Sequence, residues 1–335
     1  MAHVASHPPV PAQKTGLFAH TELTYLVAFL IIGVVAPYVL YPIFVMKVLC
    51  FALFACAYNL IFGYVGLLAF GHAAFFGAAA YVTAHSAKFW GITPEIAILA
   101  GTAVATVLGA AIGWLAIRRQ GLYFAMITLA LAQIVYFYAL QAPWTHGEDG
   151  IQSVPRGKLF GFIDLNDMMS MYFFVLAVFL IGFAIVHRTI RSPFGQVLKS
   201  IRDNEPRALS LGYDTDRYKL MAFTLSAGLS GLAGGTKAIV FQLASLTDVF
   251  LFTSADVLLM VLIGGIGTIL GPVVGAVTLV TMQNYLAGAG SWVLIIQGAI
   301  FVAFILMLRK GIVGTWLEYR ETRRRRHVEA AKKAK

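Results

Sequence analysis

The sequence predicts an all-α, polytopic membrane protein with about ten transmembrane helices. Three observations carry that reading. Hydrophobic residues make up 59% of the 335 residues and charged residues only 12%, where a soluble domain carries about a quarter charged residues. The mean hydropathy is +0.80. Apolar runs close to the roughly 20 residues needed to cross a hydrocarbon core recur along the chain. A soluble enzyme, a secreted disulfide scaffold and a disordered tail are excluded as whole-chain readings, because so few charges cannot cover a water-exposed surface of this size.

The runs fall near 24–41, 43–63, 65–87, 94–117, 121–141, 169–187, 217–241, 253–267, 268–287 and 290–308. The second and third nearly touch, and the eighth and ninth read either as two spans or as one broken hairpin. With both ends of the chain in the cytoplasm, 20 of the 25 Lys and Arg residues lie inside, as the bias of basic residues toward cytoplasmic loops requires. The organisation is then a cytoplasmic segment 1–20, a transmembrane region 21–308 and a basic cytoplasmic tail 309–335. A periplasmic loop (142–168) and a charged cytoplasmic loop (188–216) interrupt the spans. Residues 1–20 have no charged n-region, so the first span is read as its own insertion signal rather than a cleaved peptide.

The 32 glycines are unevenly placed. Gly63, Gly66, Gly71 and Gly77 punctuate 58–82, and Gly264, Gly265, Gly267, Gly271 and Gly275 punctuate 262–277. Small residues let helices approach closely in lipid. Gly-Gly and Gly-Pro (Gly271-Pro272) also break helices, which membranes tolerate where protein or a cavity satisfies the freed backbone. Broken helices at matching places in two halves point to a transporter's path. Close packing explains any single glycine as well; the two runs together favour a pathway, with Asn59 and His72 as its polar members.

Few other polar side chains interrupt the spans. Lys237 reads as a snorkelling residue near a span end, and Asp256, after Ser254, as a helix-start cap. His72 reads as an interhelical hydrogen-bonding residue. Cys50 and Cys56 share an apolar run at a spacing that does not bring them together on a helix, so they read as packing residues. No Asp/Glu/His relay of the kind proton-driven pumps carry is present.

The charged loop is more informative. Ser192-Pro193 is a helix start. Phe194, Val197, Leu198 and Ile201 then form one apolar face. Asn204 to Pro206 breaks the run, since proline disfavours helix in Glu205, and Gly212 fits a helix stop. Two short amphipathic helices with a bend are expected. Their polar side mixes Lys199, Arg202, Asp203, Glu205 and Arg207, unlike the mainly basic face of a lipid-surface helix, so docking onto a partner is favoured.

GLAGGTKA (231–238) lacks the phosphate-loop spacing. The basic run at 323–326 reads as a topology anchor touching anionic membrane lipid rather than a nucleic-acid patch. There is no HExxH, CxxC, GxSxG or GxGxxG, so no catalytic residue, cofactor site or metal site is expected on the chain.

Three segments in order, GYVGLLAFGHAAFFGAAAY (63–81), SPFGQVLKSIRDNEPRALSLGYDTDRYKLMAF (192–223) and IGGIGTILGPVVGA (263–276), resemble the LivM-type permease subunits of branched-chain amino acid ABC importers. The resemblance covers about 45–308. It implies a type II importer-like permease in a bacterial inner membrane. The expected partners are a second homologous permease, two cytoplasmic ATPases that carry ATP and Mg, and a periplasmic substrate-binding protein. It implies that Phe194, Gly195, Ile201, Arg202, Asp203, Asn204, Glu205, Leu211 and Gly212 couple to the ATPase. Asn59, Gly63, Gly66, Gly71, His72, Gly264, Gly265, Gly267, Gly271 and Pro272 are expected to line the translocation path. Where the family often has Ser, this chain has Ala69; a drier path follows, and urea, aromatic carboxylates or other small carboxylates join branched-chain amino acids as expected substrates. The alternative from another class is an ion-gradient-driven secondary transporter or channel.

Overall fold

The computed structural model describes residues 30–159, 161–286, 288, 292–307, 311–316 and 318–319. The N-terminal segment 1–20 and the basic run at 323–326 lie outside them. A helix stands at each of the ten apolar runs: α1 (Leu30–Val39), α2 (Pro42–Asn59), α3 (His72–Phe89), α4 (Pro94–Ala116), α5 (Leu122–Gln141), α6 (Met168–Arg191), α9 (Thr215–Phe241), α10 (Leu251–Gly264), α11 (Gly271–Leu286) and α12 (Val293–Met307). Between α6 and α9 lie the short helices α7 (Pro193–Asp203) and α8 (Glu205–Ser210). Among the described residues strand content is confined to two-residue pieces: β1 (Ile151–Gln152), β2 (Lys158–Leu159), β3 (Ile163–Asp164) and β4 (Leu243–Ala244). The chain is an all-α polytopic membrane protein.

Among the described residues four helices are long and apolar enough to cross a membrane by length and composition: Pro42–Val65 (α2 with its following turn), α4, α5 and α6. They differ in what they face. In α2, 89% of the apolar stretch is buried inside the protein, against 28% in α5, so α2 is a central helix and α5 a peripheral one. α9 packs along α3 and α4, and α2 packs against α9, α11, α6 and α10. The centre is held together by small residues and rings. Gly109 and Gly113 of α4 sit against Ala227 and Phe223 of α9, and Phe54 meets Phe76 at 4.6 Å between ring centroids. Without a hydrophobic drive between helices in lipid, this close approach supplies the attraction.

Helix starts are capped from nearby side chains. Asp167 accepts from the Ser170 backbone N–H at 2.9 Å, and hydrogen bonds from the Ser170 backbone and hydroxyl hold its carboxyl below the usual range. Ser192 accepts from Gly195 N at 3.3 Å, Asn204 from Arg207 N at 3.1 Å, and Asp214 from Arg217 N at 3.3 Å. α3 is capped from a distance, by the Ser254 hydroxyl of α10 at 2.9 Å from Ala73 N.

α10 and α11 are 14 and 16 residues long, about 21 and 24 Å at the helical rise, short of a core of about 30 Å. They form an antiparallel hairpin whose backbones touch: a Cβ on Gly264 would overlap the Gly271 carbonyl, and one on Gly275 the Met260 carbonyl. At the end of the bundle opposite α7, the loop after α5 straps the end of α9. β1 pairs antiparallel with β4 through Ile151 and Ala244, Val154 and Gln242 exchange bonds of 3.1 Å, and Arg156 Nη2 donates to Val240 O at 3.0 Å.

Two polar expectations are corrected here. Lys237 does not snorkel. Its ammonium reaches both Asp248 oxygens, at 2.8 and 2.7 Å, and both side chains are buried. Asp256 does not cap α10, whose N-terminal residue is Leu251. It accepts from Gln283 of α11 at 3.0 Å and Gln297 of α12 at 3.1 Å. A charge in an apolar bundle is tolerated when partners surround it, and these partners come from neighbouring elements. Removing one member of the Lys237–Asp248 pair strands the other. Lys237→Met is expected to cost about 3–5 kcal/mol, read as a lower unfolding temperature in detergent. Lys237→Met with Asp248→Leu is expected to recover most of the loss; a single variant as stable as the double would refute the pairing's role.

Candidate functional site

The two glycine runs and the α7–α8 loop meet at one end of the bundle. α2 does not end cleanly. After Asn59 the chain widens into a π turn, Leu60–Val65, and stops at Gly66 in the left-handed region, φ +83°. Gly66 N and Leu67 N both bond Ile61 O, at 3.0 and 3.2 Å, so the Gly63 carbonyl needs a partner from elsewhere. Arg202 of α7 supplies it, Nη1 to O at 2.7 Å. The Arg202 stem lies directly against Gly66, where a Cβ would meet its Cγ at 2.9 Å. One turn back, Asn59 clamps the turn between α10 and α11: its Nδ2 donates to Thr268 O at 2.9 Å and its Oδ1 accepts from Gly267 N at 3.1 Å. Gly265 and Gly267 carry that turn at φ +121° and +71°.

The structure thus brings together Asn59, Gly63, Gly66, Gly264, Gly265, Gly267, Gly271 and Arg202. At several of them the nearest neighbour is backbone. A Cβ on Gly63 would meet Gly267 N at 2.6 Å, and one on Gly71 would meet Thr128 O at 2.6 Å. Gly264 and Gly271 face each other, and Pro272 is buried beside them. At these positions the backbones meet as close seams. Gly267 and Arg202 border an open cavity of about 470 Å³.

His72 stands apart, at the start of α3. Its Nε2 lies 2.9 Å from Ser226 Oγ of α9. Ser226 donates its proton to Ala57 O at 2.6 Å, so the His72 Nε2–H is the donor and the hydroxyl accepts. Tyr58, Phe75 and Phe223 enclose the ring edge-on. His72 ties α3 to α9, as an interhelical hydrogen-bonding residue should.

The α7 apolar face, expected to dock onto a partner, is spent within the chain. Leu198 and Ile201 are buried, and Phe194 stacks on Tyr218 of α9 at 5.6 Å. Gly195 presses on the end of α6, where a Cβ would overlap the Ile190 carbonyl. Glu205 also turns inward, bonding the Lys219 ammonium and, at 3.2 Å, the Thr215 hydroxyl. Asp203 braces Arg202 at 3.0 Å. What remains outward is α8 and the turn after it: Leu209 is 53% and Leu211 68% exposed, with Asn204 and Gly212 at the two ends of the helix. The sequence reading missed Lys219 as the partner of Glu205, and Gln283 and Gln297 as partners of Asp256. A lysine or carboxylate inside a span implies a partner, but only the packed bundle says which one.

The bundle thus combines apolar helices, two short helices joined by a glycine turn, and a capped amphipathic loop packed beside that turn. The family described as "Branched-chain amino acid transport system / permease component" matches residues 42–305, and the chain belongs to it. The chain is similar to the high-affinity branched-chain amino acid transport system permease protein LivM of Escherichia coli (strain K12), 26% identical over 76% of this chain and 65% of that protein. The LivM protein of Salmonella typhimurium is 27% identical over the same shares, so the chain spans about two thirds of the length of these relatives. The ribose import permease protein RbsC of Bacillus subtilis (strain 168) is 27% identical over 66% of this chain and 70% of its own. No solved structure matches the chain.

The seams make a sharp prediction. Gly264→Ala forces a methyl into the Gly271 carbonyl, and overpacking of a tight core costs about 1–3 kcal/mol. Gly298, with open space around its Cα, is the matched control. Gly264→Ala is expected to lower the yield and unfolding temperature of the purified protein, and Gly298→Ala to leave both unchanged.

Proposed function

We propose that the chain is the permease subunit of an ATP-driven importer in a bacterial inner membrane, with both ends cytoplasmic. It moves branched-chain amino acids or a related small polar solute handed over by a periplasmic binding protein. A second homologous permease completes the path, and two cytoplasmic ATPases bind and hydrolyse ATP with Mg. The observation that carries this reading is the join between α7 and the backbone breaks, Arg202 to Gly63 O. It supports a lever: force applied to the outward α8 surface reaches the α2 turn and the α10–α11 hairpin without an intervening soft segment.

In this reading Leu209, Leu211, Asn204 and Gly212 form the surface that meets an ATPase. Phe194, Gly195, Ile201, Arg202, Asp203 and Glu205 brace it from behind and transmit its motion. The Asn59–Gly267 clamp and the glycine seams act as the rigid frame of the path, and its solute-facing wall is completed by the second permease. The family membership supports ATP-coupled import over a gradient-driven carrier, as does the absence of an Asp/Glu/His relay in the sequence.

The test is reconstitution of the permease pair with both ATPases and the binding protein in liposomes, with labelled leucine and ribose compared as solutes. Leu209→Asp with Leu211→Asp is expected to cut ATP-dependent uptake at least about tenfold and to abolish ATPase co-purification, since burying an unpaired carboxylate in an apolar contact costs several kcal/mol. The unfolding temperature should not change. Full uptake in that variant would refute the docking surface. Solute accumulation by the chain alone under an ion gradient would refute the importer reading.

A further inference from the structure

The end of the bundle away from α7 carries four charges close together. Lys47 is the sixth residue of α2 and Asp256 the sixth of α10, and α10 packs against α2, so the two stand at a similar depth on neighbouring helices. Lys237 and Asp248 complete the set. Only those last two close on each other, through both carboxylate oxygens. Asp256 is held by amides, one on each oxygen: Gln283 at 3.0 Å and Gln297 at 3.1 Å. A carboxylate has about four lone-pair sites, so both oxygens keep room for a cation. Among the described residues Lys47 closes no ion pair or hydrogen bond, although the charges of Lys237 and Asp256 both act on it. Lys47 and Asp256 are both half-buried.

We infer that Lys47 and Asp256 form a binding site for a zwitterionic α-amino acid, Lys47 taking its carboxylate and Asp256 its ammonium. An ionisable residue within a span faces the bundle interior or a water-filled space and marks a substrate path. A cation and an anion held near each other, neither closed by an opposite charge, match a solute that carries both. A simple carboxylate would satisfy Lys47 and set a like charge beside Asp256, and a simple cation would do the reverse. A sugar would bond to both and neutralise neither. On the same face of α2, three residues before Lys47 and four after it, stand Phe44 and Phe51, both half-buried. The Phe51 ring lies against Phe76 at 5.8 Å. These rings give the solute's side chain an apolar wall, which favours an aliphatic amino acid over a polar one. The site deepens the importer reading and rests on it for the direction of travel, since this is then the end that receives the solute. Its test measures binding alone, without ATPase or transport, so a failed site and a failed importer are separate results.

The full chain is purified in detergent and titrated with leucine, and saturation transfer from the protein to the leucine methyls is followed by NMR. Leucinamide, which lacks the carboxylate, and isocaproate, which lacks the ammonium, are expected to bind at least about tenfold more weakly than leucine, the effect of losing one charge-assisted hydrogen bond. Lys47→Gln should weaken leucine binding about tenfold and leave leucinamide binding unchanged, again by the loss of one such bond. Asp256→Asn should weaken leucine to the same degree and leave isocaproate unchanged. Lys47→Arg should retain leucine. A residue with a purely structural role would not produce that crossed pattern. Arg118→Gln, which removes a cation over Trp114, should change nothing. Three results would each overturn the site: equal binding of the three solutes, no leucine binding by the unaltered chain, or leucine binding unchanged in both Lys47→Gln and Asp256→Asn. Should either variant fail to fold, the comparison of the three solutes on the unaltered chain still decides the matter.

Discussion

The bond from Arg202 to the Gly63 carbonyl is the interaction on which the rest of the architecture turns. A backbone carbonyl freed inside an apolar bundle costs several kcal/mol unless something bonds it. The π turn after Asn59 frees one, and α7 reaches in to satisfy it at 2.7 Å. Because the partner is a charged side chain of the loop, the loop is bound to the membrane bundle by a charge-assisted hydrogen bond. Asn59 extends the same logic to the next break, holding the turn at Gly267 and Thr268 with both ends of its amide. Two interruptions that would each be unfavourable alone are made stable by sharing one corner of the structure.

That corner changes what an amphipathic loop means here. The apolar stripe of α7 looks like a docking face in isolation, yet the bundle needs it: Leu198 and Ile201 fill space against the spans, and Phe194 lies on Tyr218. Once α7 is committed inward, Glu205 becomes an internal anchor for Lys219, and the free surface shifts by a few residues onto α8. The loop is therefore a rigid platform with a small apolar outer patch. A platform of that kind transmits force better than a mobile arm, since its first and last residues are fixed by caps at Ser192, Asn204 and Asp214.

Much of the fold was legible because membrane spans are written in composition. α4 and α5 fall within a residue of the runs at 94–117 and 121–141, and the two helices of the loop were announced by Ser192-Pro193 and by Asn204 before Pro206. The start of α3 was not. An apolar link, Leu67 to Phe70, looks like helix to hydropathy, and only the left-handed backbone at Gly66 delays α3 to His72. The site was half legible. The glycine runs and Asn59 do converge, but a glycine in lipid marks a close approach without saying whether its neighbour is backbone or solute; at Gly63 and Gly264 it is backbone. The charged pairs were illegible for a related reason. Lys237 and Asp256 advertise a need for partners, and the partners lie on other helices.

The distribution of those pairs bears on how such a bundle can move. Asp256, Gln283 and Gln297 sit within about two turns of the ends of α10, α11 and α12 that point away from α7, and Lys237 with Asp248 ties the far end of α9. The near ends of α10 and α11 are held by Asn59. Short helices fixed at both ends by desolvated polar contacts resist bending, because any bend would expose a carboxylate or an amide to hydrocarbon. Opening a passage by local unwinding of α10 or α11 is thus the expensive route. Tilting the hairpin and the α2 turn as one body keeps the Asn59 and Asp256 contacts and loads those that reach α3 and α9, Ser254 to Ala73 N and Glu205 to Lys219.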